Sequence, residues 1–597
     1  MATDETQEDA PETGTAGKLT EVELLKEASR GLYGALAEEL ASPSDHFSET
    51  TAQLLKFHGS YQQDNRDVRP ARKKQGLDRD YKMMVRTRFP GGGISAQQYL
   101  LCDALAATYG QNDMRITSRQ TFQFHGVVKG KLRPLIHDLN HLGRISTIAS
   151  CGDVVRNVTA PPVADIDPRY ARIGMDLIAL ARDISDRFSP KTAAYFDLWL
   201  DDEKVTVNAD GTVVYEKDLP AEPVDEPLYG KTYLPRKFKI GIATDFDNSI
   251  DVYTNDLGVL AIMNPDGTVA GFNILVGGGL GHSHNRPATY PRLATPLAFV
   301  QPEEVVPLIE AVIQVQRDHG DRTNRKHARM KYLIDDWGLE RFRSEAFAYA
   351  GRECPAPRDV TPSAQPDYLG WHKQSQPGLN YVGVWVENGR VRDFEDGIRF
   401  KSGLRAIIER HRPDVRLTPH HNLVLANIRD EDVDSVQALL DEYALPTDKG
   451  VSTLRRLEMA CPALPLCPLA TSEAERVFPS VIKALEEAGH GDADVIIRMS
   501  GCPNSCSRPA TAEIGIVGKG TDQYILQVGG DHCGARLAAT LLPVVKTADL
   551  APAASRLLHG WKAERFEGES FGDWAGRMGA DNLRARVIEF EKAKRQT

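Results

Sequence analysis

Two stretches of this 597-residue chain are similar to each other, although about three hundred residues separate them. The first is RITSRQTFQFHGV (115–127) and the second is RLTPHHNLVLANI (416–428). Arg115 corresponds to Arg416, and the apolar spacing that follows is shared. A repeat of this kind indicates two related halves rather than unrelated domains. A cleft between such halves is the natural place for a large ligand.

The elements around the two stretches follow the same order. YKMMVRTRFPGG (81–92) has the pattern of a strand that ends in a turn, and 115–128 alternates like a half-buried strand. A helix is expected between them. YVGVWVENGRVRD (381–393) precedes the second stretch in the same way. The first copy of the repeat keeps its arginines, whereas the second loses most of them.

Composition and charge exclude several classes of protein. Hydrophobic residues make up 41% of the chain and no apolar run approaches twenty residues, so no segment is expected to span a bilayer. The acidic start MATDETQEDAPETGTAG lacks the features of a signal or transit peptide, which predicts a soluble, cytoplasmic protein. The net charge of -11 argues against general nucleic-acid binding. The basic run RTNRKHARMKY (322–332) has a helix-compatible composition and is either a solvated helix face or a wall for an anionic ligand.

Four of the eight cysteines form two close pairs. Cys461 and Cys467 make a C-x5-C pair, and Cys502 and Cys506 make a C-x3-C pair. Eight cysteines are too few for a disulfide scaffold in so long a chain, so the clustered ones indicate metal or redox chemistry. Zinc sites usually leave two or four residues between paired ligands. The irregular spacing and adjacent prolines fit an iron–sulfur cluster better, with zinc and four unliganded buried cysteines as the alternatives.

These pairs and several separate motifs resemble those of the siroheme- and 4Fe-4S-containing sulfite and nitrite reductases, most closely the sulfite-reducing members. The resemblance runs from about Leu19 to past Trp574. The motifs that carry it are FHGSYQQDNRD, RTRFPGG, RITSRQTFQFHG, YLPRKFKIG, GFNILVGGGLG and QRDHGDRTNRKHARMKY. Together they are highly specific for that family.

The resemblance implies two cofactors, siroheme and a 4Fe-4S cluster. It makes Cys461, Cys467, Cys502 and Cys506 the metal ligands of the cluster, and it makes Cys506 the bridge to the siroheme iron. Sulfite reduction takes six electrons and no side chain stores electrons, so the cofactors must carry them. The protein must supply positive charge and proton donors, because sulfite is an anion and each S–O cleavage releases water.

Motif matching assigns one group of side chains to catalysis and another to cofactor binding. For several of them a purely structural role is the alternative. Arg115 and Arg119 on a strand could be half-exposed surface residues, and His125 is more often a satisfied histidine than a ligand. Lys237 and Lys239 share a face if they lie on a strand, as two ligands of one anion must, but an exposed polar face would look the same. The expected catalytic residues are Arg86, Arg156, Lys237 and Lys239. The expected cofactor-binding residues are Arg115, Arg119, Gln123, His125, Asn504 and Cys506.

Three further observations concern nucleotide binding, the electron donor and a covalent modification. LVGGGLGHSHN (275–285) lacks the GK[ST] ending of a P-loop, and the resemblance places this loop against the cofactor. The chain has no flavin or NADPH motif, so its electrons must come from a partner, either a ferredoxin or a flavoprotein subunit. Some sulfite-reducing relatives carry a thioether between a cysteine and a tyrosine, and Cys151 and Tyr61 are the matching positions.

The predicted fold is α+β (mixed α/β), with two ferredoxin-like half-domains and two larger siroheme- and cluster-binding lobes related by a pseudo-twofold repeat. The leading function is assimilatory reduction of sulfite to sulfide. Nitrite reduction to ammonia is the alternative within the family, and a non-catalytic iron–sulfur protein that binds nucleic acid through 322–332 is the alternative from another class. The predicted divisions are a disordered tail (1–18), an N-terminal extension (19–77), half-domain 1 (78–146), lobe 1 (147–370), half-domain 2 (378–445) and lobe 2 (446–597).

Overall fold

The structure is a computed structural model and mixes helices with several sheets, as the sequence predicts. The predicted disordered tail falls outside the described residues except at its last two positions. The described residues are 17–200, 204–207, 213–216, 226–395 and 397–596.

The strands and helices are numbered in chain order. The strands are β1 (Ser60–Asp64), β2 (Tyr81–Arg86), β3 (Gly93–Ile94), β4 (Met114–Ile116), β5 (Phe122–Val127), β6 (Lys204–Val207), β7 (Val213–Glu216), β8 (Ile240–Thr244), β9 (Leu257–Met263), β10 (Val269–Val276), β11 (Thr295–Val300), β12 (Gly370–Lys373), β13 (Leu379–Val384), β14 (Arg390–Val391), β15 (Asp414–Leu417), β16 (Leu423–Arg429), β17 (Met459–Ala460), β18 (Ile497–Ser500), β19 (Ile514–Gly520), β20 (Gln523–Val528) and β21 (Ala539–Val545). The helices are α1 (Glu21–Ala28), α2 (Leu36–Ala41), α3 (Glu49–Leu55), α4 (Arg69–Lys74), α5 (Ala96–Tyr109), α6 (Leu132–Gly143), α7 (Leu177–Arg187), α8 (Ala194–Trp199), α9 (Pro302–His319), α10 (Met330–Trp337), α11 (Leu339–Ala350), α12 (Phe400–His411), α13 (Val433–Glu442), α14 (Phe478–Leu485), α15 (Thr547–Glu564), α16 (Phe571–Met578) and α17 (Ala580–Gln596).

Two five-stranded sheets form the ferredoxin-like half-domains, in the orders β1-β2-β5-β4-β14 and β12-β13-β16-β15-β3. Each sheet takes its last strand from the other half of the chain. β14 pairs with β4, which places Arg390 opposite Arg115. β3 pairs with β15, which places Ile94 opposite Val415. The two half-domains are therefore interlocked, and neither completes its sheet alone.

Two further sheets, β11-β10-β9-β8 and β17-β18-β19-β20-β21, build the lobes and repeat each other in detail. β8 runs parallel to β9, and β18 runs parallel to β19. The carboxylate of Asp256 accepts the N–H of Lys239 at 2.9 Å, and the carboxylate of Glu513 accepts the N–H of Ile496 at 2.9 Å. A long helix, α9 or α15, follows each sheet. The lobes are related copies, so the predicted pseudo-twofold repeat extends beyond the half-domains.

One continuous hydrophobic core joins the half-domains to the first lobe, and a separate core fills most of the second lobe. The helix predicted between the first two strands of the repeat is α5. It begins with a capping box, in which Ser95 Oγ accepts the N–H of Gln98 and the Gln98 side chain accepts the N–H of Ser95. The described helices include none whose length and apolar composition would suit a membrane span.

The segment 115–128 differs from the single half-buried strand that its alternation predicts. It forms β4 and β5, joined by a tight turn in which Gln120 has a φ of 55° and the Thr117 N–H bonds the Thr121 carbonyl at 3.0 Å. Successive side chains of β5 are buried, so both faces of the sheet are covered there. Arg119 lies in the turn rather than on a strand, because the left-handed residue after it reverses the chain.

The basic run 322–332 is not a helix face. Its residues form turns up to the start of α10, because the Asp321 side chain accepts backbone N–H groups of the following residues and fixes a turn. Arg325 and Arg329 each lie 2.6 Å from a buried carboxylate. Of the two predicted interpretations, the solvated helix face is wrong, because these arginines point inward.

Candidate functional site

Four polar side chains form a row across the first half-domain sheet. Arg86 on β2 lies opposite Gln123 on β5, and Gln123 lies opposite Arg115 on β4. Arg115 in turn lies opposite Arg390 on β14. Directly opposed residues share a face of a sheet, and His125 joins them because it is two residues beyond Gln123. The sheet therefore brings together one residue of the expected catalytic group and three of the expected cofactor-binding group.

Arg115 connects this row to the first cysteine pair. Its Nη2 donates to the Ala460 carbonyl at 2.6 Å, and its Nε lies 3.2 Å from the carboxylate of Glu475. The N–H of Glu475 donates to the Cys461 carbonyl at 3.1 Å. The segment that begins at Cys461 is thus anchored at both of its ends beside the row.

The turn between β4 and β5 carries Arg119 to a narrow polar cavity between the lobes. Its guanidinium donates to Asn255 Oδ1 at 2.5 Å and to the Ile240 carbonyl at 2.8 Å. Side chains of both lobes and the loop of the second cysteine pair meet here. The cavity is lined by Ser118, Arg119, Lys237, Lys239, Ile250, Thr254, Asn255, Leu280, Gly281, Arg329, Asn504, Ser505, Cys506 and Arg508.

Lys237 and Lys239 lie on the extended segment that leads into β8, and both line this cavity. The N–H of Arg156 donates to the Phe238 carbonyl between them at 2.9 Å. Burial, with the charge of Lys239 next, holds the pKa of Lys237 well below its usual value. Burial, with the charge of Arg119 next, lowers the pKa of Lys239 to about 7. A bound anion would counteract both effects, so the cavity favours an anionic ligand.

Sequence reasoning missed two cations that line the same cavity. Arg329 donates to the buried carboxylate of Asp256 at 2.6 Å. Arg508 pairs with Asp251 at 2.7 Å and donates to two backbone carbonyls at 3.1 Å. Arg329 belongs to the recognised motif at 322–332, and Arg508 follows Cys506 by two residues. Their positions inside or next to recognised motifs are the signal in the sequence that could have identified them.

Several buried polar atoms around the row and the turn have no hydrogen-bond partner among the described residues. They are Oε1 of Gln123, both ring nitrogens of His125, and Nε of Arg86 and of Arg119. Leaving a buried polar group unpaired costs about 1–3 kcal/mol. So many in one region indicate the place of a polar ligand, and acidic groups such as the carboxylates of siroheme suit the arginine donors.

The loop 275–285 closes in on the same cavity. A Cβ on Gly279 would lie 2.6 Å from the guanidinium of Arg329, and a Cβ on Gly281 would lie 3.5 Å from the Asn504 carbonyl. Lys331 holds the loop by donating to the Gly279 and Gly281 carbonyls, both at 3.0 Å. A side chain at position 279 would therefore displace the Arg329 guanidinium, whereas the distance at Gly281 is an ordinary van der Waals contact.

The four paired cysteines come together from two loops. Gly501 N–H donates to Cys461 Sγ at 3.2 Å, and Cys502 Sγ lies 3.5 Å from the Asn504 amide nitrogen. Burial, followed by the neighbouring Cys506 and Cys502, raises the pKa of the Cys461 thiol, and burial raises that of Cys502 to about 12. Such thiols keep their protons unless metal ions replace them, so the set suits a metal cluster.

Cys506 lies next to the other three paired cysteines, because its charge is among the causes that raise the pKa of each of their thiols. Cys506 lines the cation-rich cavity, and its carbonyl accepts a hydrogen bond from Ser118 at 3.2 Å. It is therefore the cysteine that adjoins both the other three and the cavity.

Tyr61 and Cys151 lie together beside the expected catalytic arginines. Their side chains share a hydrogen bond, and Arg156 also bonds Tyr61. Burial, with the charge of Cys151 next, raises the pKa of Tyr61, while Arg156 and Arg86 act in the opposite direction. The sequence match between these two positions thus corresponds to a direct contact.

Comparison with known proteins agrees with this geometry. The family model described as "Nitrite and sulphite reductase 4Fe-4S domain" matches residues 179–353, and "Nitrite/Sulfite reductase ferredoxin-like half domain" matches both 76–142 and 372–443. A sulfite reductase [NADPH] hemoprotein beta-component of Staphylococcus haemolyticus is 41% identical over 94% of this chain and 95% of its own length. A sulfite reductase [ferredoxin] of Synechococcus elongatus is 41% identical over 98% of this chain and 93% of its own. The solved Mycobacterium tuberculosis NirA protein is 25% identical, with a TM-score of 0.75 over 95% of this chain and 97% of that one.

A cluster of four cysteines beside a cation-lined cavity defines an iron–sulfur oxidoreductase. The chain belongs to the nitrite and sulfite reductase family. Its cofactors are a 4Fe-4S cluster and siroheme, and the cysteines, unpaired polar atoms and arginines described above fit them.

The contact between Tyr61 and Cys151 predicts a thioether between the Cys151 sulfur and the Tyr61 ring, formed by an external two-electron oxidant such as dioxygen that takes up the two hydrogens lost. Intact-mass measurement and peptide mapping should find one cross-linked peptide containing both residues, lighter by two hydrogens than its parts. Tyr61→Phe should leave Cys151 in a free peptide that reacts with a thiol reagent. Two separate unmodified peptides from the wild-type protein would contradict the predicted thioether.

Cys506→Ser should deplete both cofactors and abolish activity, because this residue adjoins the other cysteines and the cavity. Iron content and visible absorption of the purified variant would measure the loss. Cys102→Ser is the matched control, since Cys102 is fully buried in the hydrophobic core of α5 and should leave the spectrum unchanged. Full activity in the first variant, or a bleached cluster in the second, would show that the ligand set is wrong.

Proposed function

We propose that this chain is the hemoprotein of an assimilatory sulfite reductase and reduces sulfite to sulfide. The observation that carries the proposal is the meeting of Cys506 with Lys237, Lys239 and Arg119 in one cavity. When bound beside Cys506, the 4Fe-4S cluster and siroheme would supply electrons and a metal site for the substrate. The side chains supply charge and protons.

The two groups of cations have different proposed roles. Arg86, Arg156, Lys237 and Lys239 bind the anionic substrate and hold protons that water formation consumes. Lys239 suits proton transfer, because burial lowers its pKa to about 7 and its Nζ can release a proton near neutral pH. The remaining residues hold siroheme and its carboxylates: Arg115, Arg119, Gln123, His125, Asn504 and Cys506.

The alternative functions have less support. A nucleic-acid-binding role for 322–332 requires its arginines at the surface, but Arg325 and Arg329 are paired with buried carboxylates. Nitrite reduction needs the same cofactors and a similar cavity. The two lysines favour sulfite, because sulfite carries up to two negative charges near neutral pH and nitrite carries one.

The electron donor is proposed to be a separate protein, a ferredoxin or an NADPH-linked flavoprotein, as in the names of the similar reductases from Synechococcus elongatus and Staphylococcus haemolyticus. The surface beside Cys467 suits such a partner. Leu469 is 65% exposed two residues after that cysteine, and the loop borders an open cavity of about 720 Å³. A donor seated there would lie beside Cys467, one of the proposed cluster ligands.

Lys239→Asn should weaken sulfite reduction more than nitrite reduction, because it removes one ammonium from the cavity. Loss of a charge-assisted contact is typically worth about 1.5–3 kcal/mol. That corresponds to roughly a ten-fold to hundred-fold fall in kcat/KM for sulfite. Steady-state assays of both substrates with an artificial electron donor would measure it, with sulfide as the product to be detected.

Lys231→Asn is the matched control, because Lys231 is exposed on the segment leading to the same strand and does not line the cavity. It should leave both rates unchanged. An equal loss on the two substrates in the Lys239 variant would contradict its role in selectivity. Wild-type protein that carries both cofactors yet forms no sulfide would contradict the proposed function itself.

A further inference from the structure

Arg66 clamps the loop that follows the first cysteine pair. Its backbone N–H donates to the Pro465 carbonyl at 3.3 Å. Its Nη1 donates to the Cys467 carbonyl at 3.2 Å and to the Ala470 carbonyl at 2.5 Å. One side chain and one N–H thus bind three backbone carbonyls, at Cys467 and on either side of it.

The next residue secures the far end of the same loop. The carboxylate of Asp67 accepts from Arg476 at 2.6 Å. Arg476 follows Glu475, whose N–H donates to the Cys461 carbonyl. The dipeptide at 66–67 therefore spans the loop from its middle to its end and holds it in place.

The charge of Arg66 is not cancelled locally. Among the described residues no carboxylate lies within ion-pair distance of its guanidinium, and its hydrogen bonds all go to carbonyl oxygens. Arg69, three residues further on, differs because its Nε and Nη2 both donate to the carboxylate of Asp64. Arg66 is only partly buried, yet it is held against the cysteine loop by its own contacts.

A fixed positive charge beside a cluster favours the state with one more electron. Reduction adds a negative charge to the cluster, and charge and hydrogen bonds near its ligands are the means by which a protein sets its potential. The guanidinium also holds the backbone on both sides of the exposed Leu469, two residues after Cys467.

We propose that Arg66 is a positioning residue that holds the Cys467 loop and raises the reduction potential of the 4Fe-4S cluster. The segment that carries it is continuous with β1, which carries Tyr61 beside the expected catalytic arginines. One short stretch thus reaches both the expected catalytic arginines and the Cys467 loop. This proposal rests on the cluster and not on the identity of the substrate, so it can fail while sulfite reduction stands.

Redox titration of the holoenzyme, followed by the electron paramagnetic resonance signal of the reduced cluster, tests it. Arg66→Gln keeps hydrogen-bond donors and removes the charge, and its cluster potential should become more negative. Arg66→Lys keeps the charge and should stay close to wild type. Lys73→Gln is the matched control and should leave the potential unchanged, because it removes the same charge from an exposed position on α4, where solvent screens it.

An unchanged potential in Arg66→Gln would overturn the proposal. So would an equal shift in Arg66→Lys, because that would separate the effect from charge. If Arg66→Gln fails to retain its cluster, the test of the proposal passes to Arg66→Lys. A wild-type potential and full iron content in Arg66→Lys would support the proposal, and loss of the cluster there as well would overturn it.

Discussion

Several arginine and lysine side chains share one narrow cavity, and their mutual repulsion is the constraint on which the rest of the site depends. Two like charges about 4 Å apart repel by roughly 4 kcal/mol near a protein surface. The chain offsets this with carboxylates set behind the cations: Asp256 for Arg329 and Asp251 for Arg508. Because the counter-charges lie behind, the front of the cavity stays free for an anion. The repulsion that these carboxylates do not offset adds to the effect of burial in lowering the pKa of Lys239.

The pseudo-twofold repeat explains how one chain builds a single such cavity. Hydrogen bonds that tie Lys239 to Asp256 in the first lobe tie Ile496 to Glu513 in the second, so the position of Lys237 corresponds to Asp494. Asp251 and Arg508 are also equivalent. Each has a positive φ, 52° and 60°, and precedes a short turn of helix, and the two pair with each other. Divergence between equivalent positions has therefore made one lobe cationic and the other the source of the cysteines.

The sequence predicts the repeat, the helix α5 and the clustered cysteines because each is visible as a pattern in short stretches of sequence. The repeat at Arg115 and Arg416, the helix at α5 and the cysteine spacing are patterns within short windows, and the cofactors followed from motifs. The sequence does not predict that β3 and β14 each pair with the sheet of the other half-domain. Each strand has only two residues, and its pairing depends on tertiary contacts. The turn at Arg119 was missed because polar alternation continues across it. Arg329 was missed because its carboxylate partner lies more than seventy residues away in sequence.

One chain is expected to carry both cofactors beside Cys506. The most direct measurement is the visible absorption spectrum of the purified protein, taken together with its iron content. Haem-type bands accompanied by broad iron–sulfur absorption are expected, because the cysteine set and the arginine-lined cavity meet at one residue. A colourless protein that contains zinc would contradict the account.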